Sequence, residues 1–198
     1  KVVVFDTANY SVIKDITVGA LPDMITFSPD GNYIMTANEG EPNDTYSIDT
    51  DGSVSIIAVN ANYAVTTLNF GSFSNQLNTL KTKGFRIASP TNNFISDIEP
   101  EYITISADSK TAWVTLQENN GVAKIDLATK TITNIFPLGY KDYNLAENAI
   151  DISDKDGGIL ANTWKLKGMF QPDAITNFEI NKNKKRKRIF CQKIHFKY

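Results

Sequence analysis

One cysteine, Cys191, and one histidine, His195, are all the chain has of either residue, and both fall in its last eight positions. An intrachain disulfide is therefore excluded, and the framework has to hold by packing alone. A histidine-based triad or a histidine-rich metal site has no residues to draw on in the body of the chain. No apolar run approaches the roughly 20 residues that cross a bilayer. No phosphate-cradling Gly-x-x-x-x-Gly-Lys-Ser/Thr sequence occurs. Residues 181–198 hold eight Lys or Arg and no acid. Of the chain's 20 basic and 22 acidic residues, 12 and 22 thus remain in 1–180, a net charge of −10. A body this acidic repels nucleic acid and anionic lipid and suits cations or basic partners. The chain opens at Lys1 already inside a strand pattern, so a preceding segment is expected.

What the chain does have is repetition. Pro22-Asp23-Met24-Ile25-Thr26-Phe27-Ser28-Pro29-Asp30 returns 78 positions later as Pro100-Glu101-Tyr102-Ile103-Thr104-Ile105-Ser106-Ala107-Asp108. Its start returns again, 72 positions further on, as Pro172-Asp173-Ala174-Ile175-Thr176. A second phrase, Phe5-Asp6 through Ile13, Ile16 and Gly19, matches Ile125-Asp126 through Thr133, Phe136 and Gly139 at an offset of 120 without a gap. Repeats of this size built from short alternating segments belong to propellers and solenoids, whose units cannot bury their own faces.

One repeat shows which. Glu101–Ser106 alternates and ends in a turn at 107–110; Ala112–Gln117 follows with Trp113 and Val114. Asn119-Asn120-Gly121 is a hairpin turn with Asn-Gly at its end. Val122–Leu127 and Thr131–Phe136 complete four antiparallel strands in the 40 residues from Pro100 to Gly139, which is one blade of a β-propeller. The other copy predicts strands at 24–27, 33–37, 52–59 and 63–70. Residues 2–18 read as the last two strands of a preceding blade, and 173–180 as the first strand of a following one. The expected fold is all-β, a β-propeller of four-stranded antiparallel blades. Residues 1–181 form part of a ring, with insertions at 71–98 and 140–170, and 182–198 form a basic tail outside the repeat. Phe73, Leu77 and Leu80, at i, i+4 and i+7, predict a short helix in 72–83. Trp113 reads as core between blades, and Trp164 as a local anchor or an exposed aromatic.

Several phrases carry a resemblance. Pro-Asp-x-Ile-x-Phe-Ser-Pro-Asp-Gly (22–31) and Gly-x-x-x-Ile-Asp-Leu-x-Thr (121–129) are similar to YVTN and WD-like repeats of seven-bladed propellers. Thr36-Ala37-Asn38-Glu39-Gly40-Glu41, Asp97-Ile98-Glu99-Pro100-Glu101-Tyr102, the run Asn148 to Gly158 and Gly168-Met169-Phe170-Gln171-Pro172-Asp173 together resemble the choice-of-anchor I family of bacterial extracellular propellers. Some of its members are labelled mesenchyme-specific cell surface glycoprotein, others alkaline-phosphatase-like. The resemblance covers about residues 1–180. It implies a secreted or surface-anchored seven-bladed propeller, of which this chain is a part. After Ile180 the family pattern would continue with another strand; here it gives way to Asn181-Lys182-Asn183-Lys184-Lys185-Arg186-Lys187-Arg188, as a truncation or a shifted reading frame would produce.

Strand alternation places the loops 39–51 and 117–120, and both insertions, on one face, with only tight turns (28–31, 107–110, 128–130) on the other. Long loops gathered on one side of a scaffold are where binding resides. In three repeats the residue after Pro is acidic: Asp23, Glu101 and Asp173. These open the innermost strands and are expected to ring the mouth of the central channel, with Glu39, Glu41, Asp97 and Glu99 close by. Clustered carboxylates suit a hard cation such as Ca²⁺, and Asp23, Glu39, Glu41, Glu99, Glu101 and Asp173 form the expected metal site. The alternative is that each acid accepts hydrogen bonds from turn amides of its own blade. Residues 151–158 hint at a further Ca²⁺ loop whose spacing fits no EF-hand. The functional expectation is an extracellular or cell-surface scaffold that binds a protein or glycan partner, with the rest of the propeller or another chain covering the end blades. A metal-dependent phosphoesterase is the alternative; the scattered Lys81, Lys83, Arg86, Lys141, Lys155, Lys165 and Lys167 offer it no phosphate-gripping motif.

Overall fold

A computed structural model describes residues 1–88 and 93–180, and the backbone of 186–192. The chain begins with β1 (Val2–Phe5) and β2 (Val12–Ile16), an antiparallel pair. β3 (Pro22–Phe27), β4 (Tyr33–Asn38), β5 (Ser53–Ala58) and β6 (Ala64–Leu68) then form a four-stranded sheet in chain order. A 3-10 segment (Gly71–Gln76) and the helix α1 (Leu77–Thr82) follow; Phe73 and Leu80 are buried and Leu77 packs beside them, as their spacing predicts. β7 (Pro100–Ile105), β8 (Thr111–Leu116), β9 (Gly121–Asp126) and β10 (Thr131–Pro137) make the second four-stranded sheet. The insertion after it carries a small ribbon of β11 (Lys141–Asp142) and β12 (Lys167–Gly168). β13 (Ala174–Ile180) pairs with β14 (Arg186–Gln192). The expected all-β architecture of four-stranded antiparallel blades is what the structure has.

The burial of each strand follows from its place in a stack of blades. β4 and β8 are covered on both sides and read as nearly continuous buried runs, whereas the outer β6 and β10 keep exposed positions. Met35, Ala37, Val54 and Ile56 of one blade share a core with Ile103, Ile105, Val114 and Ile125 of the next. Val2 and Ile16 pack on Ile34 and Ile57, and Trp113 with Val122 packs on Ile175, so Trp113 lies between blades as expected. The tight turns repeat atom for atom. Ser28 Oγ donates to Asp30 and accepts from Tyr33 N at 2.9 Å; Ser106 Oγ donates to Asp108 and accepts from Thr111 N at 3.0 Å. These hydroxyl and carboxylate groups satisfy turn amides that no strand would reach.

Part of the stretch expected as a basic tail has a described backbone. Arg186–Gln192 is a strand, registered on β13 from Ala174↔Gln192 to Ile180↔Arg186. Its Ile189-Phe190-Cys191 run has the β-propensity that the flanking Lys and Arg hide in a reading by charge. Residues 182–185 and 193–198 of that stretch lie outside the described residues.

Candidate functional site

Asp23 and Glu101 occupy the same irregularity in their blades. The register between β3 and β4 slips between Pro22 and Met24, and that between β7 and β8 slips between Pro100 and Ile103. An extra residue of this kind bends the strand and re-aims a side chain. Both acids therefore sit at the start of an innermost strand, where Pro sets the entry and the bulge turns the next residue. Asp173 stands just before β13, the corresponding place in the third copy.

These acids share one electrostatic environment. Burial, and then the charges of Asp173, Glu39, Asp23 and Glu118, push the Glu101 carboxyl up to about 8. Burial, with Glu118, Glu39, Asp97 and Glu41 around it, pushes Glu99 up to about 7. Glu39 is raised by burial, Glu41, Asp23 and Glu118. Desolvation and like charge act in the same sense here, and both favour the neutral acid. Each of the six residues of the expected metal site, Asp23, Glu39, Glu41, Glu99, Glu101 and Asp173, thus feels the charge of, or acts on, at least one other of the six. Among the described residues, no three His, Cys, Asp or Glu converge closely enough to hold an ion. Glu101 Oε2 is buried without a hydrogen-bond partner among the described residues.

Next to these carboxylates lies a cleft of about 390 Å³, lined by the loop after β4 (Glu39, Glu41, Tyr46, Asp49), the first insertion (Arg86, Ser96, Asp97) with Glu99 just after it, and the β8–β9 turn (Gln117, Glu118). Its one cation, Arg86, donates to Glu118 Oε2 at 3.0 Å, and Gln171 Nε2 donates to the same oxygen at 3.2 Å. Asp97 follows the local alternative: its carboxylate accepts from Ala88 N at 2.9 and 3.0 Å and from Asn119 Nδ2 at 3.2 Å. Asp151 is likewise spent on the amides of Ser153 and Leu160. Trp164 is a local anchor, its Nε1 donating to Ile150 O at 3.0 Å.

The cleft is fixed by two buried asparagines. Asn119 Nδ2 donates to Asp97 O at 2.6 Å and its Oδ1 accepts from Glu99 N at 3.2 Å, which ties the first insertion down. Asn120 has φ +55°, the left-handed conformation that Asn tolerates in a tight turn. Its Nδ2 donates to Gly84 O (2.9 Å) and Gly139 O (2.8 Å), and its Oδ1 accepts from Phe170 N (2.9 Å) and Gln171 N (3.2 Å). All four side-chain bonding positions are used: one on Gly84 within the first insertion, one on Gly139 where the second begins, and two on Phe170 and Gln171 where it ends. Sequence reasoning reads Asn119-Asn120-Gly121 as a hairpin turn and misses this second task. It also omits Glu118, Arg86, Tyr46 and Asp49 from the site. The one available signal for Glu118 is its membership of the 117–120 loop on the expected face.

The chain is similar to solved structures that it matches only in part. It is 16% identical to the Kuenenia stuttgartiensis hydrazine synthase, over 90% of this chain and 32% of that one, with a TM-score of 0.42. It is 14% identical to dihydro-heme d1 dehydrogenase NirN in complex with DHE, over 87% of this chain and 24% of that one, with a TM-score of 0.45. The chain thus spans about a third or less of the length of these proteins. No curated protein matches it. The family model of the choice-of-anchor I domain matches residues 1–184, nearly the whole chain. With the repeated blades, this match places the chain in the choice-of-anchor I domain family.

Proposed function

We propose that this chain is a non-catalytic binding module of a secreted or cell-surface protein, and that its acidic face receives the lysine or arginine side chains of a protein partner. The family is one of cell-surface associated domains, which supports the location. The observation that carries the reading is the convergence of Glu39, Glu41, Glu99 and Glu118 on one cleft whose lining contains a single arginine. Carboxylates spread along a groove match charge distributed along a basic segment. A single hard cation instead needs six to eight oxygens within about 2.6 Å. Ca²⁺ would have to draw the six acids together.

Titration calorimetry with oligolysine and, separately, with CaCl₂ distinguishes these ligands. Oligolysine is expected to bind, more tightly as pH rises from 6 to 9, because Glu99 and Glu101 ionise over that range (near 7 and 8). Glu39→Gln with Glu99→Gln should weaken it about tenfold. Heat from Ca²⁺ alone would favour the metal reading, and no heat from either would end the proposal. Turnover of an aryl phosphate, with or without Ca²⁺, is expected to be absent; any turnover lost with these carboxylates would support the phosphoesterase alternative.

A further inference from the structure

An Asp or Asn followed by Gly can react with its own backbone, because glycine, lacking a Cβ, leaves the next main-chain nitrogen unhindered. The chain has four such pairs: Asp30-Gly31, Asp51-Gly52, Asn120-Gly121 and Asp156-Gly157. The fold holds the first three. Asp30 Oδ1 accepts from Ser28 Oγ at 2.6 Å and from Asn32 N at 3.0 Å, and its Oδ2 accepts from Asn32 Nδ2 at 2.8 Å. The attacking group is held as well, since Gly31 N donates to Ser28 O at 2.8 Å. The peptide joining Asp51 to Gly52 is wedged on both sides. A Cβ on Gly40 would meet Asp51 C and Gly52 N, and a Cβ on Gly52 would meet Ile98 O. Asn120 is fully buried with its amide in four hydrogen bonds, and Gly121 is fixed in β9 opposite Leu116 and Pro137.

Asp156-Gly157 differs on every count. It lies in the second insertion, within the run 152–163 whose residues are all exposed. Among the described residues, neither the Asp156 carboxylate nor the Gly157 N–H has a hydrogen-bond partner. The polar groups around it are spent on one another: Asp151 accepts from Ser153 N and Leu160 N, and Ser153 Oγ accepts from Lys155 N at 3.2 Å. Gly157 has φ +84°, and no atom lies within 4 Å of where its Cβ would stand. Nothing packed against this pair opposes the rotation that brings the two groups together.

We propose that Asp156 is a site of self-modification, converted to isoaspartate through a succinimide with Gly157, while the other three pairs persist in the folded chain. The main-chain nitrogen of Gly157 attacks Cγ of the neutral Asp156 carboxyl. A nitrogen–Cγ bond forms, and the carboxyl hydroxyl leaves as water with the amide proton. Water then adds to one of the two ring carbonyls. Opening at Cγ restores aspartate. Opening at the original main-chain carbonyl leaves the chain running through Cγ, with an extra methylene in the backbone and a free α-carboxylate. Water is released once and consumed once, and nothing is oxidised or reduced. The change stays within its loop, because Ile150 and Asn162 exchange two backbone hydrogen bonds at 3.0 Å and Trp164 Nε1 donates to Ile150 O, closing the loop at its base.

The folded 198-residue chain, aged at 37 °C and pH 7.4 in heavy-oxygen water, is the test. Peptide mapping should find isoaspartate and incorporated heavy oxygen at Asp156, and neither at Asp30, Asp51 or Asn120. Methyl transfer from S-adenosylmethionine by an isoaspartyl methyltransferase gives a second readout. The same chain aged in urea should convert at Asn120 as well, since only the fold protects that pair. Asp156→Glu, whose ring would need six members instead of five, should abolish methyl acceptance by the folded chain and leave its melting midpoint unchanged. The midpoint of the wild-type chain should likewise hold as position 156 converts. Aspartate intact at 156 in the folded chain once Asn120 of the urea sample has converted would overturn the proposal. So would conversion at Asp30, Asp51 or Asn120 that keeps pace with Asp156 in the folded chain, or a midpoint that falls as 156 converts.

Discussion

Asn120 shows how a residue that reads as a turn signal becomes a structural hub. Its left-handed backbone suits Asn or Gly, so Asn120→Gly keeps the turn and removes only the four side-chain bonds. We expect a loss of about 2–3 kcal/mol in denaturant melts. Amide exchange should rise at Phe170 and Gln171, which lose their acceptor. Glu101 is the opposite case, a group the fold holds against its preference. Its carboxyl is raised to about 8 in the folded protein, above the ordinary 4.5. The stability tied to its neutral form is complete below about pH 4.5 and is lost as pH rises through 8. Glu101→Gln should therefore leave stability unchanged near pH 4.5 and add about 1 kcal/mol near pH 9, a gain limited by solvent screening of a half-exposed group. The Asp23, Glu101 and Asp173 positions were legible because three repeats write an acid after Pro. The Asn120 contacts were not, because its partners lie 19 to 51 residues away in insertions that have no repeat to compare.

At the scale of elements, the blades were legible because each hairpin is marked locally. Ser-x-Asp turns, an Asn-Gly turn and alternating apolar residues agree on the same boundaries, with small shifts: the strand expected at 52–59 runs Ser53–Ala58. The entry of the first insertion into the core was not marked. The carbonyl oxygen of Ile98 occupies the place a Cβ on Gly52 would take, so the loop before β5 can pass beneath 93–99 only without a side chain. Gly52→Ala should cost about 3 kcal/mol by overpacking. It should also disturb the cleft wall at Ser96 and Asp49, joined at 2.9 Å across that crossing. Oligolysine affinity and thermal unfolding, measured together, check both effects. β14 is the element that the sequence hid, because a run of Lys and Arg outweighs three apolar residues in any reading by composition.

At the scale of the whole chain, charge is distributed with the fold: residues 1–180 carry a net −10 and residues 181–198 carry eight cations. The field of the acidic body is screened over about 8 Å at physiological salt. Architecture was readable at this scale from repeat offsets alone. The cleft was not, because its walls come from three separate segments that meet only in space.

The clamp that Asn120 places on both insertions also governs timing. With the first insertion, one wall of the cleft, tied at Gly84 to the same side chain that holds Gly139, Phe170 and Gln171, that wall cannot swing without breaking a bond to Asn120. A basic ligand therefore meets a cleft that is already assembled. Its capture rate is set by diffusion down the acidic field rather than by a rearrangement of the protein. Stopped-flow association with labelled oligolysine should be a single phase, linear in protein concentration and steeply slowed by salt. With Asn120→Gly a second phase, independent of concentration, should appear as the wall formed by the first insertion comes loose.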